Sequence, residues 1–362
     1  MSTPLKTRQS APSPRSGATV TAMTGARLPR FFTGYLVVGV LALAAALHAV
    51  AGLGLASSIL IGWVAFVVVL IASSRAVEGN RKTTDRLAGA LISSAFLLAL
   101  LPLATLMWQV VSNGAPALNP TFFTSSMRNV VGEGGGIYHA AFGTLLVTGM
   151  AALMSVPVGL LTAIYLVEYG HGRMARAVTV LVDVMTGIPS IVAGLFAYAL
   201  FVIFFGEGVR MGFGGSVALS LLMVPLVVRS CEEMIKLVPN ELREASYALG
   251  VSKWRTIVKV VVPTALAGIV TGITIAIARV IGETAPLLII CGTTDSSNFN
   301  LFSDRMMTLP VFIYSQYKNP GIPPEFSIER AWGAALVLML IIMALNVLAR
   351  LVSYYFSPKT KQ

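Results

Sequence analysis

The sequence predicts an all-α, polytopic membrane protein of about eight transmembrane helices, and three observations carry that prediction. Of 362 residues, 56% are apolar and 11% are charged, against roughly 25% charged in an average soluble protein. The charges fall in clusters separated by long apolar runs, and about 20 such residues cross the hydrocarbon core as a helix that satisfies its own backbone polar groups. The basic residues also alternate between rich and poor connecting segments, as the positive-inside rule requires of a multi-pass chain.

Taken in order, residues 1–30 are polar and rich in Ser, Thr, Pro and Arg, and read as a disordered cytoplasmic tail rather than a cleaved leader. Spans at 35–51 and 56–72, joined by Gly52, Gly54, Ser57 and Ser58, form an N-terminal hairpin assigned to 31–75. Six more follow at 87–111, 141–167, 177–205, 213–229, 264–291 and 332–354. The sixth has the weakest signal, being short, opening on Gly212, Gly214 and Gly215 and containing Pro225. Were it re-entrant, every later loop would change sides.

Charge settles the choice. With both termini in the cytoplasm, twenty of the 26 basic residues lie inside, including Arg75, Arg81, Lys82, Arg173, Arg176, Arg229, Lys236, Arg243, Lys253, Arg255 and Lys259. Five lie outside, Arg128, Arg210, Arg305, Lys318 and Arg330, and Arg279 falls within a span. The net charge of +11 is therefore a topology signal, and nucleic acid is not an expected partner. The outer loops at 112–140 and 292–331 lack strand alternation and read as irregular with short interfacial helices.

Cys231 and Cys291 form no CxxC pair and read as small apolar packers, while His48, His139 and His171 are too scattered to predict a metal site. The prolines within spans, Pro157, Pro189, Pro225 and Pro286, read as kinks that alternating access could use.

The cytoplasmic loop at 232–263 is too polar to cross a bilayer. Asn240 is expected to cap a short helix with Leu242, Ala245 and Leu249 on one face, and Gly250 to end it. Ser252 is expected to cap a second helix through Trp254, Ile257 and Val260, which Pro263 breaks before the next span. Two amphipathic helices joined at a glycine suit a groove on a partner protein or, equally on pattern, the lipid headgroups.

Glu244-Ala245-Ser246, then Gly250, then Val260-Val261-Val262-Pro263 resembles the EAA loop of bacterial ATP-binding-cassette (ABC) importer permeases. Ser246 stands for the second Ala of that motif, and Val260 and Val262 for its usual Ile and Leu. The stretches GGGIYHAAFGTLLVT (134–148), GIPSIVAGLFAY (187–198), REASYALGVSKWRTI (243–257), ARVIGETAPLL (278–288) and MTLPVFIY (307–314) are similar to the PstA family of phosphate importer permeases. The resemblance implies a six-helix permease domain at 85–356, with the hairpin outside the usual pattern. It further implies a homologous second permease, two ATPase subunits docked on the loop, an external phosphate-binding protein, and a location in the bacterial cytoplasmic membrane. The chain itself is expected to bind no cofactor. It has no G-x-x-x-x-G-K-[ST] stretch, so ATP and Mg belong to the partner ATPase.

Arg279 and Glu283 sit in an apolar run where an unpaired charge costs several kcal/mol in lipid. Their i, i+4 spacing places them on one helix face, so they pair with each other or face a cavity. Guanidinium offers a planar fork to phosphate oxygens, and a nearby Glu tempers the affinity. Gly272 and Gly282 permit close approach of a neighbouring helix. Arg229 reads as an inner-side anchor, but the resemblance implies that Arg229 and Arg279 both serve phosphate passage. Asp183, buried by pattern, is expected to cap or to pair with an inner basic residue. Four alternatives stand beside this reading: the sister permease of the same complex, a permease for sulfate or molybdate, an ion-coupled secondary transporter using Arg279 and Glu283 as a relay, and a membrane-embedded enzyme, which the absence of a catalytic triad or paired carboxylates disfavours.

Overall fold

The computed structural model describes Leu28, Pro29 and residues 31–356. Apart from Leu28 and Pro29, the tail assigned to 1–30 lies outside the described residues, as do Lys359 and Lys361. The chain divides between Ala104 and Thr105 into two compact units, whereas the hairpin and permease assignments from sequence, 31–75 and 85–356, meet earlier.

In the first unit, α1 (Phe32–Ala51) ends at Gly52 in the left-handed conformation, φ 62°, and α2 (Leu55–Glu78) folds back on it. A Cβ added to Gly62 would lie 3.3 Å from Val40 and Ala44, so this glycine lets the hairpin close. The third helix, α3 (Asn80–Gly114), starts beside the end of α2 and runs through the boundary into the second unit. Its Arg86 pairs with the buried Glu78 carboxylate at 2.6 Å, and Trp63 Nε1 donates to Ser94 Oγ at 3.0 Å.

The second unit continues with α4 (Pro120–Thr124), capped by Asn119 Oδ1, which accepts from the Phe122 N–H at 2.8 Å. Next come α5 (Tyr138–Ile164), extended by a π-helical turn at Tyr165–Tyr169, then α6 (Gly172–Thr186), α7 (Ser190–Phe205) and α8 (Gly212–Lys236). The chain goes on through α9 (Asn240–Ala248), α10 (Lys253–Thr256), a π-helical turn at Ile257–Val261, α11 (Val262–Val280) and α12 (Ala285–Ile290). It closes with α13 (Leu309–Lys318) and α14 (Pro324–Phe356). No strand occurs among the described residues.

The helix with the weakest apolar signal is the most enclosed candidate span: 56% of its core window is buried, against 28% or less for the others. Its glycines explain both facts. Gly212, Gly214, Gly215, Ser216 and Ala218 are all buried, so small side chains lower the apolar signal while letting neighbours approach. Ser216 Oγ donates to the Val147 carbonyl at 3.0 Å, and Gly159 of α5 lies against Val227. Residue numbers rise together along that contact, so α5 and α8 run parallel. In contrast, Gly268 meets Met234 and Gly272 meets Ser230, so α11 runs antiparallel to α8.

The span expected at 177–205 is not one helix. It breaks at residues 187–189 and bends by 106° between α6 and α7. Pro189 supplies no backbone N–H and stands at the cap of α7, so it ends the ladder rather than kinking it. Among the described residues, seven helices are long and apolar enough to cross a membrane, or eight if the bent pair counts as one span. The parallel course of α5 and α8 decides between these: α6 and α7 must return the chain to the end from which α5 began, giving eight crossings. The span expected at 264–291 is likewise interrupted, between Val280 and Ala285. In the loop before α14, α13 buries Leu309, Pro310, Val311 and Phe312 in the core.

Candidate functional site

Both helix breaks face one cavity. Gly194 of α7 lies so close to α12 that an added Cβ would sit 2.5 Å from Pro286 Cα, which brings the two interrupted segments side by side. Between them and α8 is a cavity of about 240 Å³ lined by Thr186, Ser190, Leu222, Pro225, Arg279 and Glu283, among others. Extending the α8–α11 register (Met234 with Gly268, Ser230 with Gly272) places Arg279 level with Met223, near the middle of α8. A larger hollow of about 540 Å³ along α6 is formed by one helix face, Arg173 to Val184, and is an open surface groove.

Arg279 and Glu283 both line the cavity, but they do not pair. The helix ends at Val280, and the Glu283 N–H turns back to the Val280 carbonyl at 3.1 Å, so the expected i, i+4 helix face is lost. Among the described residues neither side chain forms an ion pair, and Arg279 is exposed in the isolated chain. Gly272 packs against Ser230 as a small residue should, whereas Gly282 meets no neighbour within 4 Å and sits at the helix break.

Arg229 is held quite differently. It pairs with Asp183 of α6 and, at 2.8 Å, with Glu232, which also binds Lys236 at 2.7 Å. The pair with Asp183 ties α6 to α8 just beyond the cavity. Asp183 does pair with a basic residue, but its side chain is 57% exposed, not buried. Arg229 itself lies two turns inside α8 rather than at its end.

The polar loop forms two helical pieces around Gly250. Gly250 has φ 75° with open space about it. Its N–H donates to Tyr247 at 2.9 Å and the Val251 N–H to Ser246 at 3.2 Å, the paired bonds of a Schellman ending. Pro239, not Asn240, is the cap residue; Asn240 Oδ1 instead accepts from Arg243 at 3.2 Å. Ser252 stands at the cap of α10, but its side chain makes no capping bond. Nor does Pro263 break a helix, because α10 runs through the π-turn into α11. The Val262 N–H reaches back five residues to Ile257, and Pro263 follows in the first turn of α11. Ser246 and Thr256, both buried, share a hydrogen bond at 2.8 Å. Glu244, Ala245 and Gly250 are exposed, and Leu242, Leu249 and Trp254 turn their apolar side chains outward.

Residues 155–362 match the family described as the binding-protein-dependent transport system inner membrane component. The chain belongs to that family. The match takes in the loop, Arg229, Arg279 and both helix breaks. Within the family the chain is similar to the phosphate transport system permease protein PstA 1 of Mycobacterium tuberculosis (strain CDC 1551 / Oshkosh). The two are 46% identical over 278 residues, covering 76% of this chain and 90% of the relative. The PstA protein of Haemophilus influenzae is 36% identical over 272 residues, covering 75% and 94%. A chain of the MetNI methionine ABC transporter in an inward-facing conformation overlaps 62% of this chain and 95% of its own, at 19% identity and a TM-score of 0.48. As a PstA-type inner membrane component, this permease is a multi-pass protein of the bacterial inner membrane and one part of a binding-protein-dependent transport system.

Three acids of the permease escaped the sequence reading of the site or were placed differently by it. Glu168 is a buried acid immediately after an apolar run, which was the available signal. Glu232 sits one turn after Arg229, also a legible spacing. The bond from Asp183 to Arg229 joins residues 46 apart and has no local signature.

Proposed function

We propose that this permease conducts inorganic phosphate through the Arg279 cavity, driven by ATP that partner subunits hydrolyse. The observation that carries the reading is a guanidinium without an ion-pair partner among the described residues, midway along the span and between two interrupted helices. Such breaks supply backbone polar groups where a membrane protein needs to bind an ion. An unpaired charge facing lipid is costly, so the exposed side of Arg279 calls for a covering surface, which a homologous second permease provides. Glu283 at the same cavity weakens the site enough for the anion to leave.

In this reading both termini and the loop at 232–263 lie in the cytoplasm, and an external phosphate-binding protein delivers the ion at the opposite end. Two ATPase subunits dock on the outward-facing Leu242, Leu249 and Trp254, using ATP and Mg that this chain does not bind. Gly250→Val tests the ATP arm: a β-branched residue is strained at φ 75°, by about 1–2 kcal/mol or more. The variant is expected to leave ATP hydrolysis running while uptake falls; normal uptake would count against docking through this loop. Substrate choice is decided by phosphate uptake in the reconstituted complex with sulfate or molybdate in excess. Phosphate uptake is expected to persist, and its displacement by either competitor would transfer the reading to that oxyanion. Uptake that survived removal of the ATPase subunits would point instead to ion-coupled transport.

A further inference from the structure

A loop that docks an ATPase on one side must also be joined to the cavity, some turns away along α8. We propose that Glu168 and Arg243 form that joint: a positioning pair through which displacement of α9 is delivered to α5 and α8. This rests on the ATP-coupled reading above.

Glu168 lies in the π-helical turn that ends α5 and is 7% exposed. Arg243 of α9 brings two nitrogens to one oxygen of its carboxylate, Oε1, with Nε at 3.0 Å and Nη2 at 2.9 Å. The same guanidinium donates to the Ile235 carbonyl at the end of α8 at 3.1 Å and to the Val238 carbonyl in the turn that follows at 2.6 Å. One side chain thus binds three elements with a fork that a point charge could not reproduce. A second cation adds to the grip: Lys253 of α10 donates to the Glu168 backbone carbonyl and lies 4.6 Å over the Tyr169 ring.

The two sides of this joint are built differently. The covalent connections of α9 are the short turns at 237–239 and 249–252, and Arg243 also closes the first of them through the Val238 carbonyl. By contrast, α5 and α8 are interlocked at Gly159 and Val227, and α8 carries Leu222 and Pro225 into the cavity wall. Movement of α9 that travelled only through the turn at 237–239 would reach the end of α8 but not α5. Movement that travels through Arg243 reaches the α5–α8 pair directly.

The test uses the complete transporter in liposomes and reads phosphate uptake per ATP hydrolysed, with co-purification of the ATPase subunits as the measure of assembly. Glu168→Gln, Arg243→Lys and Arg243→Gln are expected to assemble and to hydrolyse ATP, while uptake per ATP falls on the order of tenfold. The double variant Glu168→Gln/Arg243→Gln should be no worse than either Gln single, since residues acting as one unit lose their coupling only once. Unchanged uptake per ATP in the single variants would overturn the proposal, as would losses that multiply in the double variant. Failure of the ATPase subunits to co-purify would also overturn it, making the pair an assembly staple. If the parent complex itself shows no ATP-dependent phosphate uptake, the functional reading fails instead.

Discussion

Arg229 and Arg279 are the same residue type in neighbouring helices of one permease, yet they are held in opposite ways. Arg229 is neutralised by Asp183 and Glu232, with Lys236 balancing the second acid. Arg279 lines a cavity with no ion pair among the described residues. The difference teaches that a charge within a span is not one kind of feature. A paired arginine fixes the position of two helices, whereas an unpaired one at a helix break leaves its donors available to a passing anion. In this conformation Arg229 would have to exchange a carboxylate for phosphate, and Arg279 would not.

The sharpest way to break the comparison is to reverse the charge at the free arginine. Arg279→Glu is expected to abolish uptake in an assembled complex, and Arg279→Lys, which keeps the charge but loses the fork, to reduce it about tenfold or more. If Arg279→Lys transported normally, planar recognition would be the wrong account. A smaller loss, about threefold to fivefold, is expected for Arg229→Gln, because Glu232 keeps Lys236 as a partner at 2.7 Å. Uptake and thermal unfolding of the same preparations separate a transport defect from a folding one.

Asp183→Asn probes the same network from α6. Its carboxylate is largely exposed, so the stability cost should be about 1 kcal/mol or less, with uptake changed by only a few fold. A loss as large as that of Arg279→Glu would mean that the α6–α8 tie, not the free guanidinium, controls passage. Smallest of all is Ser246→Ala, which restores the second Ala of the family's motif and deletes the hydroxyl bond to Thr256. Thr256 Oγ1 still reaches the Ser252 carbonyl at 3.3 Å, so about 1 kcal/mol of stability is expected to go, with uptake unchanged. Thermal unfolding of the purified permease measures it.

Much of this was legible in the sequence because it is local. Apolar runs and basic clusters gave eight crossings, and Gly250 declared its helix ending through the one residue type that tolerates φ 75°. Arg279 and Glu283 stood out as charges in an apolar run. What could not be read was mostly set by contacts far apart in the chain. The 106° bend at Gly187–Pro189 is a tertiary outcome, since a proline within a span reads equally well as a kink. The unwinding after Val280 separates Arg279 from Glu283 despite spacing suited to an ion pair. Glycines misled in both directions: they made α8 look weakest, where close packing makes it central, and Gly282 look like a packing residue, where it marks a break.

The central claim, that phosphate passes through the cavity beside Arg279, is tested most directly by a reporter in the cavity wall. Cys231 and Cys291 are both buried, so a cysteine introduced as Ser190→Cys can be followed with a charged thiol reagent in the assembled complex. The account predicts that the reagent modifies this cysteine, that phosphate slows the modification, and that Arg279→Ala removes the protection. Modification at a rate indifferent to phosphate while Arg279 is intact would contradict it.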